Sequence, residues 1–117
     1  MKTKLHHVRV NVSDLNRSIK WYEEVLGLKV TASWPPDKPN YVHFESEAGA
    51  TFAIMEEKED KVPSNGRFNF TVKNVEKLWE SLKDKVDVVE ELFDTPYGTT
   101  KFTIRDLDGN ELGFVKE

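Results

Sequence analysis

The chain contains no cysteine. That excludes disulfides and thiolate metal sites, and it fits a reducing cytoplasm, which is the expected location. No long apolar run is present. Nothing approaches the roughly 18 apolar residues of a membrane-spanning helix, and the N-terminal stretch MKTKLHHVRV lacks the apolar core of a signal peptide. A large excess of charge of one sign is also absent. A net charge of −4 gives no general attraction to nucleic acid or anionic membranes, so neither is an expected partner. The phosphate-cradling glycine loop, the nucleophile elbow and the zincin and zinc-ribbon patterns are all missing. What is there is one domain's worth of chain. The 117 residues are 38% hydrophobic and 11% aromatic, which is enough for a core.

Periodicity then divides the chain. Leu5 to Val12 alternate, with Val8, Val10 and Val12 on one face and His7, Arg9 and Asn11 on the other, as in a half-buried strand. Asp14 suits a helix N-cap, because its carboxylate accepts a bond from a free first-turn amide. Leu15, Ile19, Tyr22 and Leu26 share a helical face, and Gly27 stands where a left-handed C-cap belongs. Strands follow at Leu28 to Trp34, Tyr41 to Glu45 and Thr51 to Glu56, the last two forming a hairpin around Gly49. The charged stretch Glu57 to Gly66 reads as a linker. The pattern then restarts. Arg67 to Val72 alternate, Asn74 caps a helix carrying Val75, Leu78, Trp79 and Leu82, and strands follow near Val86 to Phe93, Thr99 to Arg105 and Glu111 to Val115. His7 and Arg67, Val12 and Val72, and Asp14 and Asn74 keep one constant offset. The order is βαβββ twice. One such module cannot bury its sheet face alone, so two must pack together.

Two segments carry a resemblance. Asp14 to Leu28 read DLNRSIKWYEEVLGL, and Arg105 to Glu111 read RDLDGNE. Together they resemble the vicinal oxygen chelate superfamily, which includes glyoxalase I, extradiol dioxygenases, fosfomycin-modifying enzymes and bleomycin-resistance binding proteins. Leu107 replaces the proline of the family's commoner D-P-D-G-N, while the Asp108-Gly109-Asn110 turn is kept. The resemblance covers the whole chain. It implies one α+β domain over 1–117, with module one at about 1–56, the linker at about 57–66 and module two at about 67–117. The two βαβββ modules are expected to form a curved mixed sheet of eight strands around a concave cleft, with the helices outside. It also implies a homodimer.

Pleat parity gives the expected cleft face. His7, Arg9 and Asn11 belong to it, as do Arg67, Asn69 and Thr71. Pairing Phe44 with Phe52 adds Tyr41, His43, Ala53 and Met55. The turn at Asp108-Gly109 adds Lys101, Thr103, Arg105, Glu111 and Gly113. A one-residue slip would invert either hairpin. The family's four metal-ligand positions carry over to His7, Ala53, Arg67 and Gly113. Alanine and glycine bring no donor side chain, and a guanidinium repels a dication. A mononuclear enzyme site needs about three protein ligands. The expectation is therefore no bound metal and no cofactor; only a shifted set using Glu111 or His43 would rescue one.

The candidate ligand-binding residues are His7, Arg9, Asn11, Trp34, Tyr41, Met55, Arg67, Asn69 and Lys101. Cations beside aromatic and thioether surface suit a small anionic or aromatic molecule. Each residue also has a plainer reading. His7 is a ligand contact, a general base or a strand-end histidine satisfied by a neighbour. Arg9 and Arg67 grip an anion or pair with acids such as Glu111. Asn11 and Asn69 read a ligand or bridge strands. Trp34, before the loop Pro35 to Pro39, is a lid or a dimer contact, and Tyr97 has the same ambiguity. Trp21, Tyr22 and Trp79 sit at core spacing, and Glu90-Glu91 has no acid–base context. The expected function is sequestration of a small molecule by a metal-free binding protein like the bleomycin-resistance branch. The alternative is an enzyme of the same superfamily, a lyase, transferase or dioxygenase, with a displaced metal site or with metal-independent catalysis through His7.

Overall fold

A computed structural model describes all residues, Met1–Glu117. The chain divides into two compact units, Met1–Ser64 and Asn65–Glu117. In the first, β1 (His7–Val12) leads into α1 (Leu15–Glu24), then β2 (Val30–Trp34), β3 (Tyr41–Phe44) and β4 (Thr51–Glu56). A 3-10 turn, Glu59–Lys61, lies in the linker. The second unit repeats the order with β5 (Arg67–Val72), α2 (Val75–Leu82), β6 (Asp87–Asp94), β7 (Thr100–Arg105) and β8 (Glu111–Lys116). No helix is long and apolar enough to cross a membrane.

The helices begin where the side chains can satisfy free amides. Asp14 accepts from the Arg17 amide at 3.0 Å, and Asn74 accepts from the Lys77 amide at the same distance. Such caps contribute about 1 kcal/mol each. The Glu56 carboxylate, at the end of β4, accepts a further bond from the Leu15 amide at 2.9 Å and so ties α1 to the sheet. At the far end Gly27 adopts φ +72, a left-handed conformation that glycine takes without a Cβ clash. Its amide bonds to Glu23, and the Leu28 amide bonds to Tyr22, closing the helix.

The ladders correct one expectation. They form two four-stranded sheets, ordered β1-β4-β3-β2 and β5-β8-β7-β6, not a single eight-stranded one. No backbone ladder joins the modules, so each sheet keeps two edges. Three of the four edge strands, β1, β2 and β6, are protected in ways that discourage further pairing. β2 carries a bulge between Val30 and Ala32, and β6 carries two, between Val88 and Glu90 and between Glu90 and Phe93. Along β1 the linker does the covering: the Asn11 amide donates to the Ser64 hydroxyl at 2.8 Å, and the Asn11 side chain donates to the Lys61 carbonyl at 2.9 Å.

Hairpin register matches the parity argument. Val42 pairs with Ile54 and His43 with Ala53, while Phe102 pairs with Phe114 and Thr103 with Gly113. The apolar face of each sheet therefore turns to its helix. In the first unit Tyr22 is fully buried, with ring centroids 5.4 Å from Phe44 and 5.8 Å from Phe52. In the second, Phe102 lies 5.2 Å from both Trp79 and Phe114. Fully burying such side chains contributes about 1.5–3 kcal/mol each. The opposite faces are left to the polar residues.

Candidate functional site

On the first sheet that polar face is organised in rows. Parallel pairing sets His7 beside Thr51, Arg9 beside Ala53 and Asn11 beside Met55. Antiparallel pairing extends the rows to His43 opposite Ala53, and to Tyr41 opposite Met55, with Trp34 beyond it on β2. The His7 ring is held at both nitrogens. Nδ1 lies 2.7 Å from the Thr51 hydroxyl, and Nε2 lies 3.2 Å from the Tyr41 hydroxyl. Tyr41 comes from the row of Met55 and His7 from the row of Thr51. The contact between them therefore crosses β4 diagonally, over the methyl group of Ala53, which is fully buried. His43 meets the Tyr41 ring edge-on at 6.2 Å. Arg9 reaches Met55, with a guanidinium nitrogen 2.9 Å from its sulfur, and has no carboxylate within ion-pair distance. Trp34 is exposed at the sheet edge. Asn11 belongs to the linker, as described above.

The corresponding face of the second sheet is filled differently. Arg67 donates to Glu111 from Nε at 3.0 Å and to Glu90 from a terminal nitrogen at 2.9 Å. A second terminal nitrogen also lies 2.9 Å from Glu111. The same Glu90 oxygen accepts from the Thr103 hydroxyl at 2.9 Å and lies 3.8 Å from the buried Lys101 ammonium. Two cations thus meet two carboxylates. Arg67 and Lys101 were candidates for gripping a ligand anion; the acids of their own sheet already hold them. Asn69 sits against Gly113. A Cβ built at Gly113 would collide with the Asn69 side-chain oxygen and come within 3.0 Å of its Cγ.

These contacts test whether the residues present suit a divalent metal, and they do not. Ala53 is roofed by the Tyr41–His7 contact. The side-chain space of Gly113 is taken by Asn69, and Arg67 is locked between two carboxylates. No group of three or more His, Cys, Asp or Glu side chains is placed to hold a metal ion. Shifting to Glu111 or His43 does not complete a shell either. Glu111 is bound to Arg67, and His43 pairs directly with Ala53 of β4, which has no donor side chain.

Sequence reasoning missed two residues of these faces. Thr51, the partner of His7, follows from parallel register that only the fold supplies. Glu90, which the sequence shows without acid–base context, is the hub of the second network of ion pairs. A β6 of unbroken alternation would place Glu90 with Val88 on the helix side. The bulge between them turns it to the other face, opposite Thr103.

Comparison with known proteins agrees with the fold. Residues 4–114 match the model of the Glyoxalase/Bleomycin resistance protein/Dioxygenase superfamily. The chain is 36% identical, over 95% of its length and 78% of the relative's, to a probable trivalent organoarsenical cleaving enzyme of Bacillus subtilis (strain 168). Among solved structures, an antibiotic binding protein from Streptomyces sp. CB03234 superposes with a TM-score of 0.80 at 19% identity, covering 98% of this chain and 96% of that one. A lactoylglutathione lyase from Agrobacterium tumefaciens gives 0.72 at 17% identity, covering 98% and 94%. These two likenesses speak for the fold alone. The family match decides membership: the chain belongs to the glyoxalase/bleomycin resistance protein/dioxygenase superfamily, as a member without an obvious metal-binding group.

Proposed function

We propose that this chain acts on a small molecule held against the polar face of its first sheet, and that it does so through organic groups rather than a resident metal. The observation that carries the reading is the His7 ring clamped between Thr51 and Tyr41, beside an Arg9 that no carboxylate neutralises. Imidazole and phenol together form a proton-transfer pair. A free guanidinium supplies fixed positive charge for an anion that develops during reaction. Met55 and Trp34 add polarisable and aromatic surface for the body of the ligand.

The similarity to a cleaving enzyme, at 36% identity, favours the catalytic reading. That relative's organoarsenical substrate does not transfer readily. Soft centres favour thiolates, and this chain has no cysteine. The proposed ligand is instead an oxygen-bearing anion, a carboxylate or enolate on a flat body. Sequestration without chemistry is the second reading. It is supported by the shared fold of the antibiotic binding protein, which is a weaker argument at 19% identity.

A screen of acidic aromatic compounds by thermal shift, followed by mass spectrometry of the recovered compound, separates the two. The catalytic reading expects stabilisation that Arg9→Ala abolishes, and a compound recovered altered from wild type but intact from His7→Gln. A compound that binds in an Arg9-dependent way and always returns unchanged supports sequestration. Stabilisation indifferent to Arg9→Ala would remove this face from consideration.

A further inference from the structure

His7 has no ring nitrogen left to offer. Nδ1 is taken by the Thr51 hydroxyl and Nε2 by the Tyr41 hydroxyl. A ligand approaching this face therefore cannot bond to the imidazole without breaking one of those contacts. The phenol oxygen is different. It is both a donor and an acceptor, and its contact with Nε2 uses only one of those capacities. We propose that Tyr41, not His7, is the group presented to the ligand, and that the tautomer of His7 sets whether Tyr41 donates or accepts. This rests on the small-molecule site proposed above and deepens it.

The logic follows the protons. In one tautomer the Nδ1 proton is donated to Thr51 Oγ1, and Nε2 accepts the Tyr41 proton. The phenol oxygen then turns lone pairs outward and accepts from the ligand. In the other tautomer Thr51 donates to Nδ1, and the Nε2 proton is donated to the phenol oxygen. The Tyr41 proton is then free to be donated to a ligand oxygen. Moving from the first to the second shifts one proton along each hydrogen bond, while Tyr41 takes up one proton from the ligand and Thr51 Oγ1 releases one to solvent, so the net charge of the chain is unchanged. Thr51 and His7 are positioning residues in this scheme. Rows on the sheet put the relevant cation nearby: Tyr41 is the register partner of Met55, whose sulfur lies 2.9 Å from the Arg9 guanidinium. Carboxylates and phenolates are the chemistry that a phenol and a guanidinium flanking one thioether would recognise. The second sheet has nothing equivalent, because Lys101 occupies the slot matching Tyr41 and is held by Glu90.

The test uses the full chain labelled at tyrosine Cζ. Its three tyrosines, Tyr22, Tyr41 and Tyr97, give three signals, and Tyr41→Phe identifies one of them. His7→Gln and Thr51→Val are then compared with wild type, and benzoate, salicylate and phenyl phosphate are titrated into each. The expected result has three parts. The Tyr41 signal moves in Thr51→Val, although the hydrogen bond of Thr51 goes to His7 and not to Tyr41. It moves further in His7→Gln. Tyr41→Phe weakens probe binding roughly five- to tenfold, the worth of one hydrogen bond, while unfolding at nearly the wild-type temperature. A Tyr41 signal unmoved by both relay variants overturns the proposal, as does Tyr41→Phe binding the probes like wild type. If wild type binds none of the probes, the ligand class proposed above fails, and the tyrosine signals decide the relay on their own.

Discussion

The two sheets answer the same layout with opposite chemistry. His7 beside Thr51 in the first corresponds to Arg67 beside Glu111 in the second. Arg9, Ala53 and His43 correspond to Asn69, Gly113 and Thr103; Tyr41 opposite Met55 corresponds to Lys101 opposite Val115. The second sheet balances its charges within itself, two cations against two carboxylates. The first leaves a guanidinium without an acid and joins Thr51, His7 and Tyr41 into a hydrogen-bonded chain. Identical backbone register therefore does not make equivalent sites. A face whose charges are mutually satisfied has little left with which to bind, whereas an exposed guanidinium without a carboxylate is open to an anion.

The sharpest way to break this comparison is to force a ligand-type carboxylate back into the first sheet. Ala53→Glu puts a charge into a fully buried slot beneath the Tyr41–His7 contact. It should destabilise the chain by about 3 kcal/mol or more in chemical denaturation, without creating metal affinity. Stability near wild type together with tight binding of a divalent ion would mean that the roof opens readily. Next in size are the two arginines. Arg67→Ala leaves Glu90 and Glu111 facing each other and should cost about 1–2 kcal/mol, tempered because the pair is partly solvated. Arg9→Ala should change stability by less than about 0.5 kcal/mol, as surface substitutions away from networks do. Equal losses in both would erase the contrast between a structural and a functional cation.

A loss below that of Arg67→Ala probes the glycine. Gly113→Ala must displace the Asn69 side chain, whose end is flexible, so a loss of about 1 kcal/mol is expected. Asn69→Gly should remove the clash, so adding Gly113→Ala to that variant should cost almost nothing further. A full additional loss in the double variant would show that something other than Asn69 limits the space.

Much of this architecture was legible in the residues. Alternating Val8, Val10 and Val12 and their repeat at Phe68, Phe70 and Val72 follow from a pleat with period two. Asp14 and Asn74 cap their helices because short polar side chains reach first-turn amides. Hairpin parity held because glycines at φ +81 and +91, Gly49 and Gly109, set turns that kept the apolar residues together. The faces themselves were less legible. Tyr41 reaches His7 across an intervening strand, a diagonal that sequence spacing does not encode. Glu90 changed sides through a bulge, which shifts parity without any residue that announces it. Asn11 was drawn to a linker whose path along the edge of β1 depends on the fold. One expectation, a single curved sheet of eight strands, gave way to two sheets, because strand patterns specify ladders within a module and not between modules.

The central claim is that neighbouring side chains have built over the family's metal positions and that the remaining chemistry belongs to Tyr41, His7 and Arg9. Elemental analysis of protein purified without chelator, followed by equilibrium dialysis against zinc, manganese, nickel and iron(II), tests it most directly. The account expects well under one equivalent of any of them, with the His7 ring resonances unmoved. One equivalent of a divalent ion, bound with a shift of those resonances, would contradict it.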